Sequence, residues 1–164
     1  MGRAVRQALA QCAAIGRDAW VEEGCRSQEL QDLYWRRGRP PTPEWPAPVT
    51  YARDALSSWH GYGLAVDVIS RSRLWFAPRR ILAATPEALH QERLRCRAER
   101  LAFYAAIVPI FKAVGLAWGG DWRPPHEDPP HFQWGACKPS PSERARVLLR
   151  EGGMERVWRE VGAL

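Results

Sequence analysis

The chain has 164 residues, 46% of them hydrophobic, which is the size and composition of a single domain able to bury its own core. No apolar run approaches the ~18 residues of a membrane-spanning helix, and none of the four cysteines forms a Cys-x-x-Cys pair, which argues against a cysteine zinc site. The net charge is +6 and, of 24 basic residues, only Lys112 and Lys138 are lysine; such an arginine-rich surface suits an anionic partner, whether nucleic acid, a membrane surface or an acidic wall polymer.

Residues 1–20 place Val5, Leu9, Cys12 and Ile15 at helical spacing, interrupted by Arg and Gln. They read as an amphipathic helix rather than a secretory leader, so synthesis in a cytoplasm without a signal peptide is expected. The cysteines (Cys12, Cys25, Cys96, Cys137) are then free thiols, mostly buried. A short strand ends near Gly24, and a helix follows with Ser27 as its cap and Leu30, Leu33 and Tyr34 on one face. The five prolines between Gly38 and Pro48 forbid helix and interior strand. Leu64 to Ile69 is an apolar run broken only by Asp67, the pattern of a buried strand.

Arg71 to Thr85 is irregular in pattern, and eight arginines fall between Arg71 and Arg100 against Glu87, Glu92 and Glu99. Thr85 and Pro86 form a helix start, and a helix covers much of Pro86 to Val114, with Pro109 expected to kink or end it. "LAWGGDW" reads as a short strand and turn, "RPPHEDPP" as irregular, and "HFQWGA" as a second short strand. Two helical patterns flank Gly152-Gly153. Short strands between helices, with helices at both ends, give an α+β class: one domain over residues 1–164 with a small, mostly antiparallel sheet flanked by helices.

The segment "SSWHGYGLAVDV" raises the chemical question, because a carboxylate on a buried strand is costly unless paired, hydrogen-bonded or bound to a cation. Asp67 shares a strand face with Ala65 and Ile69, and His60 lies just upstream, where Gly61 and Gly63 allow a tight turn back over the strand. A metal is the most economical account. Catalytic zinc takes three protein ligands; "HEDPPHFQW" offers the third in His131, and it places Asp128 three residues earlier on a proline-stiffened turn as a candidate general base. An arginine partner for Asp67 is the plain structural alternative.

Four segments in order resemble one family. "SWHGYGLAVD" fits Ser-x-His-x-x-Gly-x-Ala-x-Asp, the zinc motif of the D-Ala-D-Ala carboxypeptidase and L-alanyl-D-glutamate endopeptidase family, and "EDPPHF" fits its Asp-x-x-His motif. "EGCRSQELQ" resembles its upstream Glu-Gly-x-Arg-Ser-x-x-x-Gln segment, and "GLAWGGDW" that of its endolysin-like branch. The resemblance implies a hedgehog-type α+β fold and one catalytic Zn2+, with His60, Asp67 and His131 as ligands and Asp128 as base. It also implies Arg26 as a cation for the substrate or transition state, for which pairing with Glu22 or Glu23 is the structural alternative. Gln31, Ser58 and Trp118 join the substrate-binding candidates, Trp118 as one of a cluster with Trp122 and Trp134. "RPPHE" departs from the endolysin pattern in lacking an aromatic, which makes His126 and Glu127 competitors for the metal or the base; Asp128 alone keeps the Asp-x-x-His spacing. Cys25 stands where the family tends to have a bulky residue.

The resemblance implies a zinc peptidoglycan peptidase acting on stem peptides at the bacterial cell wall. Within it, an L-alanyl-D-glutamate endopeptidase serving as a phage or prophage endolysin is expected, as a monomer. A D,D-carboxypeptidase or dipeptidase on the same scaffold, and a metal-binding module without catalysis, are the alternatives; no motif for specific nucleic-acid binding accompanies the arginines.

Overall fold

The computed structural model describes residues 1–42, 45, 47–73 and 85–164. Its elements in chain order are α1 (Gly2–Ala14), β1 (Ala19–Glu23), α2 (Gln28–Arg36), two 3-10 turns (Ala55–Ser57 and Trp59–Tyr62), β2 (Ala65–Ser70), α3 (Pro86–Ala113), β3 (Leu116–Trp118), a further 3-10 turn (Gly119–Asp121), β4 (His131–Trp134) and α4 (Glu143–Glu160). The four strands form one sheet in the order β1-β2-β4-β3, antiparallel at every pairing. This is the expected α+β arrangement of a small antiparallel sheet flanked by helices. No helix among the described residues is long and apolar enough to cross a membrane.

The alternation of side chains along β2 and β4 divides the interior in two. Val66, Val68 and Phe132 join Val5, Ala8 and Cys12 of α1 and Phe103, Ile107 and Phe111 of α3 in one core. Beyond it, Trp59, Tyr62, Leu64 and Ala65 pack with Ala145, Leu148 and Val157 of α4 in a second. The site grows between these layers, because the register sets Asp67 directly opposite His131 and Ala65 opposite Gln133. A bulge between Val21 and Glu23 advances β1 so that Glu23 stands opposite Asp67.

Thr85 caps α3 at Ala88 N, 3.2 Å, with Pro86 in the first turn as expected. Pro109 does not end the helix: α3 continues to Ala113, since Ile107, Val108 and Phe111 are buried on both sides of it and their packing offsets a break costing ~3 kcal/mol. The apolar face expected of α2 is not buried. Leu33 is 46% exposed, and the residue this helix does bury is Gln31, because α2 borders a cleft instead of the core. Ile15 likewise lies past the end of α1 and is 55% exposed. Gly152 and Gly153 leave helical geometry, so α4 is two helical segments joined at a bend. Of the irregular stretch expected from Arg71 to Thr85, residues 74–84 lie outside the described residues. Cys12, Cys96 and Cys137 are buried free thiols and Cys25 is an exposed one.

Candidate active site

The turn carrying His60 depends on two glycines for different reasons. Gly63 closes it in the left-handed region, φ +63°, and a Cβ on Gly61 would meet the Ala55 carbonyl oxygen at 2.1 Å. Ser58 caps the turn by accepting from His60 N. His60 is thereby held over the strand face that carries Asp67 and His131.

Three atoms form a nearly equilateral triangle. His60 Nε2 is 3.2 Å from His131 Nδ1 and 3.3 Å from Asp67 Oδ1, and His131 Nδ1 is 3.5 Å from that oxygen. Tetrahedral zinc with bonds of about 2.0–2.1 Å sets its ligand atoms about 3.3–3.4 Å apart, so the triangle fits such an ion. The outer hydrogen bonds orient both rings. His60 Nδ1 lies 2.8 Å from the Gly24 carbonyl, which can only accept. His131 Nε2 lies 3.1 Å from Gln133 Oε1, and the Gln133 amide nitrogen donates to the carbonyls of Cys137 and Lys138, which fixes its oxygen toward the histidine. Each ring therefore spends its N–H outward and turns a lone pair inward.

Two lone pairs facing a carboxylate oxygen need a cation between them. Asp67 Oδ1 is buried and receives no hydrogen bond. Burial pushes the pKa of Asp67 up, yet the facing imidazoles, when they carry protons, outweigh burial and hold it well below the usual carboxylate range. Burial lowers His60, and the Asp67 carboxylate more than restores it. The centre thus calls for positive charge, and the outward N–H groups favour a metal ion over protons. Glu23 Oε1, 3.7 Å from His60 Nδ1, adds a carboxylate behind the ligand.

Around this centre an open cleft of about 1550 Å³ is lined by Arg26, Tyr34, Arg37, Trp122 and Asp128 among others, larger than the ~300–1,000 Å³ of small-molecule pockets and suited to an extended chain. Asp128 faces the cleft from a turn in which its carbonyl accepts from His131 N, 3.1 Å, and its own N–H donates to Gly119 O, 3.0 Å. Although Asp128 keeps solvent access, close protein packing raises its pKa, the Asp67 charge raises it further, and His131, His60 and Arg26 pull the other way.

Arg26 is buried, makes the ion pair with Glu23 weighed for it, and also borders the cleft. Nε pairs with Glu23, and Nη2 lies 3.8 Å from Asp67 Oδ2 beside the cleft. Its Nη1 donates to Gln31 Oε1 at 2.9 Å. Gln31 itself is fully buried, donates to the Ala52 carbonyl and does not line the cleft, so it is linked to the cleft through Arg26. Trp118 also stands behind the cleft: its indole N–H donates to the Pro129 carbonyl at 2.7 Å and its ring packs near Tyr104, supporting the Asp128–His131 turn. Trp122 is the tryptophan of that cluster in the cleft wall, with its ring 5.0 Å from that of His131. His126 and Glu127 line the cleft and stand outside the ligand triangle. Gln133 escaped the reading of the sequence, and Glu23 was read only as a partner for Arg26; the period-2 spacing of Gln133 from His131 was the available signal, but only the sheet register gives it meaning.

An α+β fold with a three-ligand centre of this kind, open to a cleft with a carboxyl beside it, has the form of a catalytic zinc site. A family model described as D-alanyl-D-alanine carboxypeptidase matches residues 52–134, and the chain belongs to that family. It is 30% identical over 128 residues to the peptidoglycan L-alanyl-D-glutamate endopeptidase CwlK of Bacillus subtilis (strain 168), covering 76% of this chain and 65% of that protein. The chain thus spans just under two thirds of the length of its curated relative. Similar solved structures are the Serratia marcescens L-Ala D-Glu endopeptidase ChiX, with TM-score 0.46, 22% identity and coverage of 80% of this chain and 75% of that one, and the vancomycin resistance D,D-pentapeptidase VanY from a VanB-type cassette, with TM-score 0.46, 15% identity and coverage of 95% and 80%.

Proposed function

We propose that this chain is a zinc-dependent peptidoglycan peptidase, an L-alanyl-D-glutamate endopeptidase that acts as a phage or prophage endolysin on the stem peptides of the cell wall. The observation that carries the reading is the inward-facing His60, Asp67 and His131 triangle with Asp128 in the same cleft. The choice of bond is supported by the 30% identity to an L-alanyl-D-glutamate endopeptidase. The triangle and the cleft come from one chain, which supports action as a monomer.

A zinc ion held by His60, Asp67 and His131 would supply Lewis acidity to the scissile carbonyl and the attacking water. Asp128 takes a proton from that water and hands it to the leaving amine, a task served by a carboxyl whose pKa is raised by packing and by Asp67. Arg26, with Nε and Nη1 committed to Glu23 and Gln31, offers Nη2 to the oxyanion or to a substrate carboxylate. Ser58 holds the His60 turn, and Trp122 supplies an apolar wall.

The family description favours a second reading, a D,D-carboxypeptidase. Purified sacculi digested with and without chelator, followed by mass spectrometry of the products, separate the two. Release of whole stems from L-Ala is the expected result. Loss of terminal D-Ala alone assigns the carboxypeptidase, and chelator-resistant digestion rejects both.

A further inference from the structure

The cleft wall contains a cation that the catalytic scheme leaves unused. The Arg37 guanidinium lies over the Tyr34 ring at 5.3 Å and over the Trp45 ring at 4.7 Å, so two aromatic rings restrict its movement. It is half-buried and lines the same cleft as the metal centre. Among the described residues no carboxylate lies within ion-pair distance of it, and its side chain makes no hydrogen bond; only its backbone groups are engaged, with Leu33 and Val49. Its neighbours are committed: Arg26 to Glu23 and Gln31, Arg39 to the Trp35 and Thr50 carbonyls, Arg53 to Asp32 and Arg146 to Asp54.

We propose that Arg37, clamped between Tyr34 and Trp45, is a specificity residue that binds a free carboxylate of the stem peptide. A guanidinium matches a carboxylate with two parallel N–H donors, and one already packed against two rings loses less freedom on binding. Tyr34 is shared with Arg26, whose guanidinium carbon lies 5.2 Å from the same ring centre. The two cations are thus no more than about 10.5 Å apart, the span of about three extended residues. Arg37 therefore reads a carboxylate a short way along the chain from the scissile bond. The carboxylate belongs to the second residue, to a diacid at the third, or to the C-terminus.

The inference rests on the peptidase reading, and the test separates the two. Wild type, Arg37→Ala, Arg37→Lys and Trp45→Ala are assayed with synthetic stem peptides in four forms: all carboxylates free, the second-residue α-carboxylate amidated, the third-residue diacid replaced by lysine, and the C-terminus amidated. Zinc content and circular dichroism verify each fold. One of the three changes should raise the wild-type KM by about 10-fold or more with kcat little altered, as for a lost charge-assisted hydrogen bond, and that change identifies the carboxylate. Arg37→Ala should raise KM for the free peptide by a similar factor and be insensitive to the same change. Arg37→Lys and Trp45→Ala should fall between, since one keeps charge without the fork and the other keeps the fork without its clamp. Wild-type KM in Arg37→Ala, or a penalty of undiminished size in that variant, overturns the subsite while leaving the peptidase reading standing. A wild-type enzyme that cleaves none of the four peptides overturns both.

Discussion

At the scale of single residues the proposed mechanism separates holding the metal from moving the proton. Asp128 lies outside the ligand triangle, so Asp128→Asn should retain about one zinc per chain and the native circular dichroism while turnover falls roughly 10²–10⁴-fold. Metal analysis beside kcat checks this; an active Asp128→Asn with an inactive Glu127→Gln or His126→Ala would move the base to that neighbour. Gln133 makes a second residue-scale case. Its amide oxygen sets the His131 tautomer while its nitrogen is tied to two backbone carbonyls. Gln133→Leu removes the acceptor at similar volume, and zinc affinity should fall about 10–100-fold, read by competition with a chromophoric chelator. Unchanged affinity would show that His131 keeps its orientation without help.

At the scale of elements the site depends on tight turns meeting a sheet. The 3-10 turn bearing His60 approaches the Ala55–Ser57 turn so closely that the Gly61 Cα hydrogen is the largest substituent that fits. Gly61→Ala should cost about 1–3 kcal/mol through overpacking, and Tm should drop by several degrees in the metal-free protein. Thermal melts in chelator check the value, and a Tm equal to wild type would mean that the Ala55 carbonyl yields freely. The 3-10 turn after β3 has the same character on the other side: a Cβ on Gly119 would meet the Asp128 carbonyl at 2.5 Å and His131 Cβ at 3.0 Å. The glycines of both motifs thus serve close approach as much as bending.

At the scale of the whole molecule the metal centre couples the two cores. Asp67 and His131 stand on strands whose opposite face is packed by α1 and α3, and His60 stands on a turn packed by α4. An ion bound at the triangle should therefore stabilise the entire fold. With zinc at 100 times its dissociation constant the gain is about 2.7 kcal/mol, so stripping the metal should lower Tm clearly in wild type and leave Tm unmoved in His131→Ala. Equal shifts in both proteins would place the stabilising ion elsewhere. The basic surface is partly self-compensated at this scale. Arg73 pairs with Glu99 and Arg95 with Glu92 and Glu99, while Arg79 and Arg80 lie outside the described residues.

The α+β class, the helix starts at Ser27 and Thr85, the strand around Asp67 and the three ligand candidates were all legible in the sequence, because each rests on local chemistry: a cap, a periodicity, a carboxylate in an apolar run. Pro109 and α2 were not, since packing over long separations overruled the local preference of a proline and left Leu33 in solvent around a buried Gln31. The roles of the tryptophans were equally hidden. Trp118 and Trp122 are four residues apart, yet one supports the Asp128–His131 turn from behind and the other faces the cleft. The sequence alone determined which residues could bind a cation. Only the tertiary structure decided that they come together as a set: the register sets Asp67 across from His131, a carbonyl and an amide oxygen turn two lone pairs inward, and the balance of burial and charge around Asp128 follows from their assembly.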